Sequence, residues 1–173
     1  MTIPLHKWIQ TYPNFPKPGI LFYDIAPILE NPAFLKQTVE TLAAHIDEWS
    51  PDLLVGIDSR GFLFATPVAL ARGLGVVMIR KKGKLPGAVR EASYALEYGE
   101  ATLAVQCDRA LTGKRVVLVD DLLATGGTLA AAEQLLIDSG ASVVGCMVLI
   151  ELTELHGRDK LKAPVKSLQV YAE

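Results

Sequence analysis

Residues 116–128 read VVLVDDLLATGGT, and this stretch decides the fold. It opens with four apolar residues, three of them β-branched, and such a short apolar run is typical of a strand buried on both faces. Two acids, Asp120 and Asp121, follow at the carboxyl end of this predicted strand. A Gly-Gly turn then leads into a segment rich in alanine and leucine, which predicts a helix at roughly 128–139. The order of strand, turn and helix indicates an α/β protein.

The turn between strand and helix is suited to binding an anion. Residues 124–128 can direct several backbone N–H groups at one phosphate, and the helix N-terminus adds its dipole. Glycine matters here because only a bare backbone can approach a phosphate so closely. Each feature alone is also common in loops without a ligand. Two carboxylates beside a phosphate would repel it unless hydroxyl groups or a metal lay between them, so the whole string predicts a phosphorylated sugar.

Bulk composition excludes several classes of protein. A chain of 173 residues, half of them apolar, can bury one good core. A net charge of −2 without a basic block argues against a nucleic-acid partner. No run is long enough to span a bilayer and the N-terminus lacks a signal pattern, so we expect no membrane partner and a cytoplasmic location. Cys107 and Cys146 are expected to be reduced core thiols, and the histidines lack metal-ligand spacing.

Apolar patterning predicts the elements around this centre. Asn31-Pro32 is a good helix start, and a stripe at alternating spacings of four and three follows it, formed by Leu35, Val39, Leu42, Ile46 and Trp49. Gly140 is suited to end the helix after the glycine turn. Pro67 predicts a kink or a late helix start in its segment. Strands are predicted at 53–57, 75–81, 101–107, 142–151 and, as an edge strand, 167–172.

Two further segments are informative. Asp58-Ser59-Arg60-Gly61 follows a predicted strand, and in a parallel sheet such loops face the ligand crevice. The Arg60 guanidinium suits pyrophosphate oxygens, although a solvated turn charge is the alternative. Residues 82–100 combine glycines with charged residues, which predicts a long exposed loop or a two-stranded ribbon, and loops of this length are often lids.

Residues 116–128 resemble the phosphoribosyl-pyrophosphate-binding motif of the type I phosphoribosyltransferases. Further strings narrow the resemblance to the adenine phosphoribosyltransferases within that family, and they occur in the family's order over most of the chain. They are FPKPGILFYDIAPIL (15–29), GIDSRGFLFATPVA (56–69), RKKGKLPG (80–87), ASYALEYG (92–99) and ELTELHGRDKL (151–161).

The resemblance implies both a fold and an activity. The fold is α/β, with a central mostly parallel sheet flanked by helices, in a single domain over residues 1–173. A small N-terminal hood at about 1–30 and a flexible flap at about 82–100 complete it. The activity is transfer of the 5-phosphoribosyl group from phosphoribosyl pyrophosphate to adenine, giving AMP and pyrophosphate in purine salvage. Mg²⁺ held mainly by substrate and water, and a homodimer, are also implied.

The resemblance also assigns site residues. Asp120 and Asp121 bind the ribose hydroxyls, and the 5′-phosphate is clamped by Ala124, Thr125, Gly126, Gly127 and Thr128. Pyrophosphate is held by Ser59, Arg60 and Lys84. Adenine is contacted by Leu21, Phe22, Tyr23 and Leu123. The groups assigned to catalysis are Arg60, Lys84 and Glu97, of which Glu97 meets the purine.

Several alternatives stay open at this point. Tyr23 stands where the family commonly has a basic residue, so hypoxanthine, xanthine or orotate are rival bases. A regulator that binds phosphoribosyl pyrophosphate without turnover is a second rival, although the short chain, acidic balance and flap argue against it. The Glu151-Leu152-Thr153 segment is interpreted either as lying near the base or as a solvated strand end.

Overall fold

A computed structural model of the chain describes residues 3–96 and 99–172. These residues form two compact units, Met1–Thr41 and Leu42–Glu173. Glu97, which the resemblance assigns to catalysis, lies outside the described residues. None of the helices in the described ranges has both the length and the apolar character that crossing a membrane requires.

The first unit is built on a short hairpin. Strands β1 (Gln10–Pro13) and β2 (Leu21–Asp24) pair antiparallel, with Tyr12 opposite Phe22. The turn-rich connection between them is ordered by the Asn14 side chain, whose Oδ1 accepts a hydrogen bond from the Gly19 N–H at 2.9 Å. A one-turn helix, α1 (Ala26–Glu30), follows. The predicted turn-rich segment thus becomes the connection of a hairpin, which the prolines alone did not indicate.

Helix α2 (Pro32–Asp47) contains the boundary between the units and begins where its sequence predicts. The Asn31 side chain caps it by accepting a hydrogen bond from the Phe34 N–H at 2.9 Å. Along the predicted stripe Val39, Leu42 and Ile46 are buried. The helix ends at Asp47, so Trp49 lies beyond it rather than on its last turn.

The second unit contains one seven-stranded sheet with strand order β5-β6-β4-β3-β7-β8-β9. The five strands from β4 to β9 in this order pair in parallel, whereas β6 and β5 are antiparallel additions at one edge. Helices α3 (Phe62–Arg72) and α4 (Gly127–Asp138) pack on the sheet. The strands are β3 (Leu53–Ile57), β4 (Gly75–Lys81), β5 (Val89–Ala95), β6 (Glu100–Gln106), β7 (Arg115–Leu123), β8 (Ser142–Leu152) and β9 (Val165–Tyr171).

This sheet confirms the α/β fold with a mostly parallel centre and corrects three details. Strand β7 does not end before the acids but continues through Asp120 and Asp121, because its residues remain paired with β8 as far as Leu123. Helix α3 begins at Phe62 and contains Pro67, so its start is not late. Of the two alternatives for 82–100 the ribbon is correct, since β5 pairs with β6.

The core lies around β7, whose residues 116–119 are completely buried. Trp49 contributes by packing on a glycine of β8. A Cβ atom at Gly145 would lie only 2.3 Å from the Trp49 ring, so no larger residue fits there. The burial of these strands fixes the position of the loops that follow them, where the polar residues lie.

Candidate active site

A cleft of about 640 Å³ opens where the neighbouring strands β3 and β7 end. Its lining brings together most of the second-unit residues that the sequence singled out. They are Ser59 and Arg60 from the loop after β3, Asp120, Asp121 and Leu123 from β7, and Ala124, Thr125, Gly126, Gly127 and Thr128 from the turn that follows.

The turn after β7 carries backbone donors that have no acceptor within helix α4. Gly126 adopts a left-handed conformation (φ +80°) and precedes the first residue of α4. The Ala130 N–H donates to the Gly126 carbonyl at 2.9 Å, which is the first bond of the helical ladder. The N–H groups of residues 127–129 precede that bond, so they have no acceptor within the helix. They can bind an anion in the cleft, with the helix dipole in support.

The turn at residues 124–128, called the phosphate turn below, packs against a second glycine, Gly157. A Cβ atom on Gly126 would lie 2.3 Å from the Gly157 carbonyl oxygen, and one on Gly157 would lie 2.2 Å from the Ala124 carbonyl oxygen. Backbone therefore packs directly on backbone, and neither position accepts a side chain. The sequence analysis included Gly157 in a family string without assigning it a role. In the sequence, the only feature that marked Gly157 was its position after His156. The structure shows that His156 also adopts a left-handed conformation (φ 51°).

The segment that carries Gly157 is fixed by an ion pair between buried Glu151 and half-exposed Arg158. Glu151, at the end of β8, is only 3% exposed. Arg158 donates to both of its oxygens, from Nε at 2.9 Å and Nη2 at 2.5 Å, and the Ser167 hydroxyl donates at 2.7 Å. A further Arg158 bond reaches the Val165 carbonyl at 2.8 Å. These bonds hold the pKa of Glu151 below its usual range, chiefly through the Arg158 hydrogen bonds.

This geometry corrects the interpretation of Glu151. The side chain is buried rather than solvated, and among the described residues it is not part of the cleft lining. Its carboxylate neutralises Arg158, so it supports the phosphate turn from outside the cleft.

The two adjacent carboxylates of β7 differ in environment. Asp121 is buried, and its Oδ2 lies 2.9 Å from Arg60 Nε in an ion pair. Asp120 is half-buried, and its Oδ1 accepts a hydrogen bond from the Asp121 N–H at 2.9 Å. The pKa of Asp120 is raised well above its usual range, first by loss of hydration and second by the charge of Asp121. The cleft thus holds two different carboxylates. The charge of Asp121 is balanced by Arg60, whereas ionisation of Asp120 is disfavoured.

The loop after β3 is held against β7. A Cβ atom on Gly61 would lie 2.6 Å from the Val119 carbonyl oxygen, so only glycine allows this approach. Asp58 pairs with Arg80, whose Nε lies 3.2 Å from Asp58 Oδ2. Arg80 also donates from Nη1 to the Lys84 carbonyl at 3.4 Å. Arg80 therefore connects the loop after β3 to the start of residues 82–100.

Two polar residues of the cleft lining, Lys81 and Tyr94, were not proposed as site residues by sequence reasoning, and several apolar lining residues were also not proposed. Lys81, the last residue of β4, is part of the lining, whereas Lys84 is not among the lining residues in the described part of the chain. Tyr94 of β5 also lines the cleft and contacts the phosphate turn. A lysine at the carboxyl end of a parallel strand is a signal that could have identified Lys81.

The other residues assigned by resemblance lie elsewhere in the chain. Leu21, Phe22 and Tyr23 form most of β2 in the first unit, where the Phe22 ring meets Phe15 edge-to-face at 5.1 Å. Tyr23 is buried, with 7% of its surface exposed. Their role and that of Glu97 stay predictions.

Comparison with known proteins identifies the family. The phosphoribosyl transferase domain family matches residues 24–171. Adenine phosphoribosyltransferase from Gluconobacter oxydans is 52% identical over 99% of this chain and 96% of its own length. That from Rhodospirillum rubrum is 55% identical over 96% of this chain and 98% of its own length. The chain belongs to the adenine phosphoribosyltransferases. A crystal structure of the Saccharomyces cerevisiae member of this family is 42% identical, with a TM-score of 0.92 over 95% of this chain and 96% of that one.

Membership of the adenine phosphoribosyltransferases accounts for the extent of the sequence resemblance. The matched range of 24–171 includes both glycine positions of the backbone contact, the Glu151–Arg158 pair and the loop at Arg60.

Replacing Glu151 by Gln should destabilise the protein at neutral pH by about 2 kcal/mol, because Arg158 would lose its buried counter-charge while remaining half-exposed. Since the folded pKa of Glu151 is depressed, its contribution is complete above its unfolded pKa of about 4.3 and is lost as the pH falls through the folded value. Urea unfolding at several pH values from 7 to 3 measures this.

The matched control is the exposed Glu154→Gln in the same segment, which should behave like the parent at every pH. The difference between Glu151→Gln and the parent should shrink as the pH falls. A difference independent of pH would show that the carboxylate charge is not what stabilises the segment.

Replacing Asp120 by Asn should stabilise the ligand-free protein by about 1 kcal/mol at pH 8. The raised folded pKa means that Asp120 contributes stability below its unfolded pKa of about 3.9, and that this is lost as the pH rises through the folded value. The amide removes the buried charge and can still accept the Asp121 N–H bond. Thermal unfolding at pH 5 and pH 8 should show the larger gain at pH 8, and the exposed Asp108→Asn is the control. A gain at pH 8 no larger than the gain at pH 5, or a loss of stability at pH 8, would contradict the conclusion that burial disfavours the charged form of Asp120.

Proposed function

We propose that this chain transfers the 5-phosphoribosyl group from phosphoribosyl pyrophosphate to adenine, releasing AMP and pyrophosphate in purine salvage. One observation carries the proposal: free helix N–H groups and two adjacent carboxylates line the same cleft. That combination fits a sugar phosphate, because the donors take the phosphate and the acids take the hydroxyls. The yeast relative was solved with adenine and an imino-altritol bisphosphate, which supports the same pairing of ligands.

The phosphate turn would hold the group that does not react. Residues 124–128 clamp the 5′-phosphate through backbone N–H groups and the Thr128 hydroxyl. Hydrogen bonds to a charged group are worth about 1.5–3 kcal/mol each, so this clamp supplies much of the substrate affinity. Because the phosphate is bound equally well before and during reaction, its role is to fix the anomeric carbon in position.

The carboxylates would act on the ribose. Asp120 and Asp121 accept hydrogen bonds from its hydroxyls, and their charge favours the positive ring that develops as pyrophosphate departs. Arg60 has two roles in this proposal. Without ligand it neutralises Asp121 at 2.9 Å. With ligand its guanidinium also meets pyrophosphate oxygens, which draws part of the positive charge toward the leaving group.

Pyrophosphate would be held by Ser59, Arg60 and two lysines. Lys84 is proposed from the family resemblance, and Lys81 is proposed because its position at the end of β4 places it in the cleft lining. Their positive charges stabilise the negative charge that builds on the departing oxygens.

Magnesium fits this cleft as an ion brought in with the substrate. Among the described residues no group of three or more potential metal-ligand side chains is found; the cleft lining carries Asp58, Asp120 and Asp121, of which Asp58 is paired with Arg80. Mg²⁺ is commonly bound by one or two carboxylates together with substrate phosphates and water. When bound, the ion would neutralise charge on the pyrophosphate oxygens.

Adenine would be contacted by Leu21, Phe22, Tyr23 and Leu123, and Glu97 would hydrogen-bond the base as N9 attacks. Residues 82–100 would exclude water that could otherwise hydrolyse the sugar. The buried side chain of Tyr23 supports a role for that position through its main chain, so that the missing basic residue leaves adenine as the base.

Turnover with adenine, phosphoribosyl pyrophosphate and magnesium tests the proposal, with hypoxanthine, xanthine and orotate as competitors. AMP should form, and adenine should be preferred. Lys81→Ala should raise the KM for phosphoribosyl pyrophosphate about tenfold, because one charge-assisted contact is lost. Lys84→Ala should mainly lower kcat, since its contact is proposed to form when residues 82–100 cover the cleft.

Lys82→Ala is the matched control for both lysines. Lys82 pairs with Glu91 at 3.0 Å on the surface and is not part of the cleft lining, so its loss should leave the kinetics unchanged. Failure to form AMP rejects the enzyme proposal. Unaltered kinetics in both Lys81→Ala and Lys84→Ala would reject the proposed pyrophosphate contacts.

We further propose that residues 1–173 act as one phosphoribosyltransferase domain in the cytoplasm. The family match from 24 to 171 includes parts of both units. Cys107 is exposed and Cys146 is buried, and both are free thiols, as in a reducing compartment.

A homodimer is also proposed, and the apolar surface on α3 and β4 supports it. Leu70 is 82% exposed, and Leu63 lies seven residues earlier on the same face of α3 with 46% exposure. Met78 of β4 is paired with Gly56, whose Cβ direction points at α3, so Met78 lies on the same side of the sheet. Exposed apolar side chains grouped in this way are typical of a protein interface.

Leu70→Glu should convert the dimer to a monomer, because it would bury a charge in the proposed interface, where Leu70 is the most exposed of these apolar side chains. Light scattering at micromolar concentration measures the mass. Ile137→Glu, at an exposed apolar position of α4, is the control and should leave the mass of the dimer unchanged. A dimer that persists in Leu70→Glu would place the interface elsewhere.

A further inference from the structure

We infer that Tyr94 is a positioning residue that couples 5′-phosphate binding to the β5–β6 hairpin through the Thr128 hydroxyl. The inference rests on the proposed function, because it requires a phosphate at the turn after β7. It assigns a role to a side chain that the mechanism above does not use.

Tyr94 contacts the phosphate turn in two ways. Its hydroxyl oxygen accepts a hydrogen bond from Thr128 Oγ1 at 2.9 Å. Its ring covers Gly127, where an added Cβ would lie 3.1 Å from Tyr94 Cδ2. Both contacts are made with residues whose N–H groups lack acceptors within the helix.

The direction of this hydrogen bond must change when phosphate binds. Thr128 has a single hydroxyl proton, which it donates to Tyr94 in this structure. A phosphate dianion only accepts hydrogen bonds, so Thr128 must turn that proton toward it. The Thr128 oxygen then becomes an acceptor, and the Tyr94 phenol becomes the donor.

The reversed hydrogen bond is the stronger one. A phenol is more acidic than an aliphatic hydroxyl and is therefore the better donor, and the Thr128 oxygen becomes a better acceptor when its proton is drawn to an anion. Phosphate binding thus tightens the contact between Tyr94 and α4. No proton leaves either side chain, because only the orientation of two O–H groups changes.

This contact controls the hairpin because of where Tyr94 lies. Tyr94 is paired with Ala101, and the next pair, Ala95 with Glu100, is the last of the β5–β6 ladder. The Leu96 N–H then donates to the Gly99 carbonyl at 2.9 Å. A hairpin fixed at Tyr94 is therefore fixed one pair from its end. In the sequence Glu97 follows Tyr94 by three residues.

Tyr94→Phe tests the inference, since it removes the hydroxyl and keeps the ring on Gly127. Calorimetric titration with ribose 5-phosphate should show affinity weakened about fivefold, the size expected for one hydrogen bond. Hydrogen exchange with saturating ribose 5-phosphate should show protection of residues 89–106 in the parent. The variant should lose that protection while residues 124–128 remain protected.

Ser93→Ala is the matched control. Ser93 lies on the same strand and shares a hydroxyl–hydroxyl bond with Thr102 at 2.8 Å, but among the described contacts it does not reach the phosphate turn. It should retain the parent's affinity and exchange pattern. In a Thr128→Val background, Tyr94→Phe should produce no further loss, because the two hydroxyls act as one unit.

The outcomes separate this inference from the proposed function. Binding and exchange are measured without turnover, so a parent that makes no AMP but shows the coupled protection would reject the enzyme and keep the coupling. Conversely, an active parent with a Tyr94→Phe variant of equal affinity and protection would overturn the inference. Additive losses in the Thr128→Val background would also overturn it.

Discussion

At the carboxyl end of β7 two carboxylates lie close together, directly before a turn that is suited to an anion. Much of the surrounding structure reduces the repulsion between these like charges. The carboxylates are those of Asp120 and Asp121, which lie within the strand. The ion pair between Asp121 and Arg60 removes one charge while the cleft is without ligand. The raised pKa of Asp120 limits the ionisation of the second carboxylate. Under the proposed function, hydroxyl groups of the substrate would separate these acids from the phosphate and so reduce the repulsion between them.

The support of the phosphate turn is as specific as the turn itself. Helix N-termini are common, but here the turn packs against a segment that the pairing of Arg158 with the buried Glu151 carboxylate holds in place. On the opposite side, Tyr94 covers Gly127. The donors are thus oriented before any ligand arrives, which lowers the entropy lost on binding. Preorganisation of this kind is what a group that binds without reacting requires.

The sequence predicted which residues line the cleft better than it predicted the contacts that hold them in place. Asp120, Asp121 and Arg60 could be recognised because strand-end loops of a parallel sheet converge at one edge. The pairing of Glu151 with Arg158 could not, because burial at a strand end depends on which segment folds over it. The same limit applied to Lys81 and Tyr94, whose roles depend on the pairing of β4 and β5 with β6. Local patterns fix an element, whereas its neighbours follow only from the complete sheet.

The contact of Gly126 with Gly157 limits how this protein can diverge. When two side chains collide, a larger residue at one position can be compensated by a smaller one at the other. Here each glycine meets a main-chain carbonyl, at 2.3 and 2.2 Å from an added Cβ, and a carbonyl cannot be made smaller by mutation. No second-site substitution can rescue a change at either position. The two glycines, 31 residues apart along the chain, are therefore expected to be conserved together in proteins that keep this turn as a phosphate-binding site.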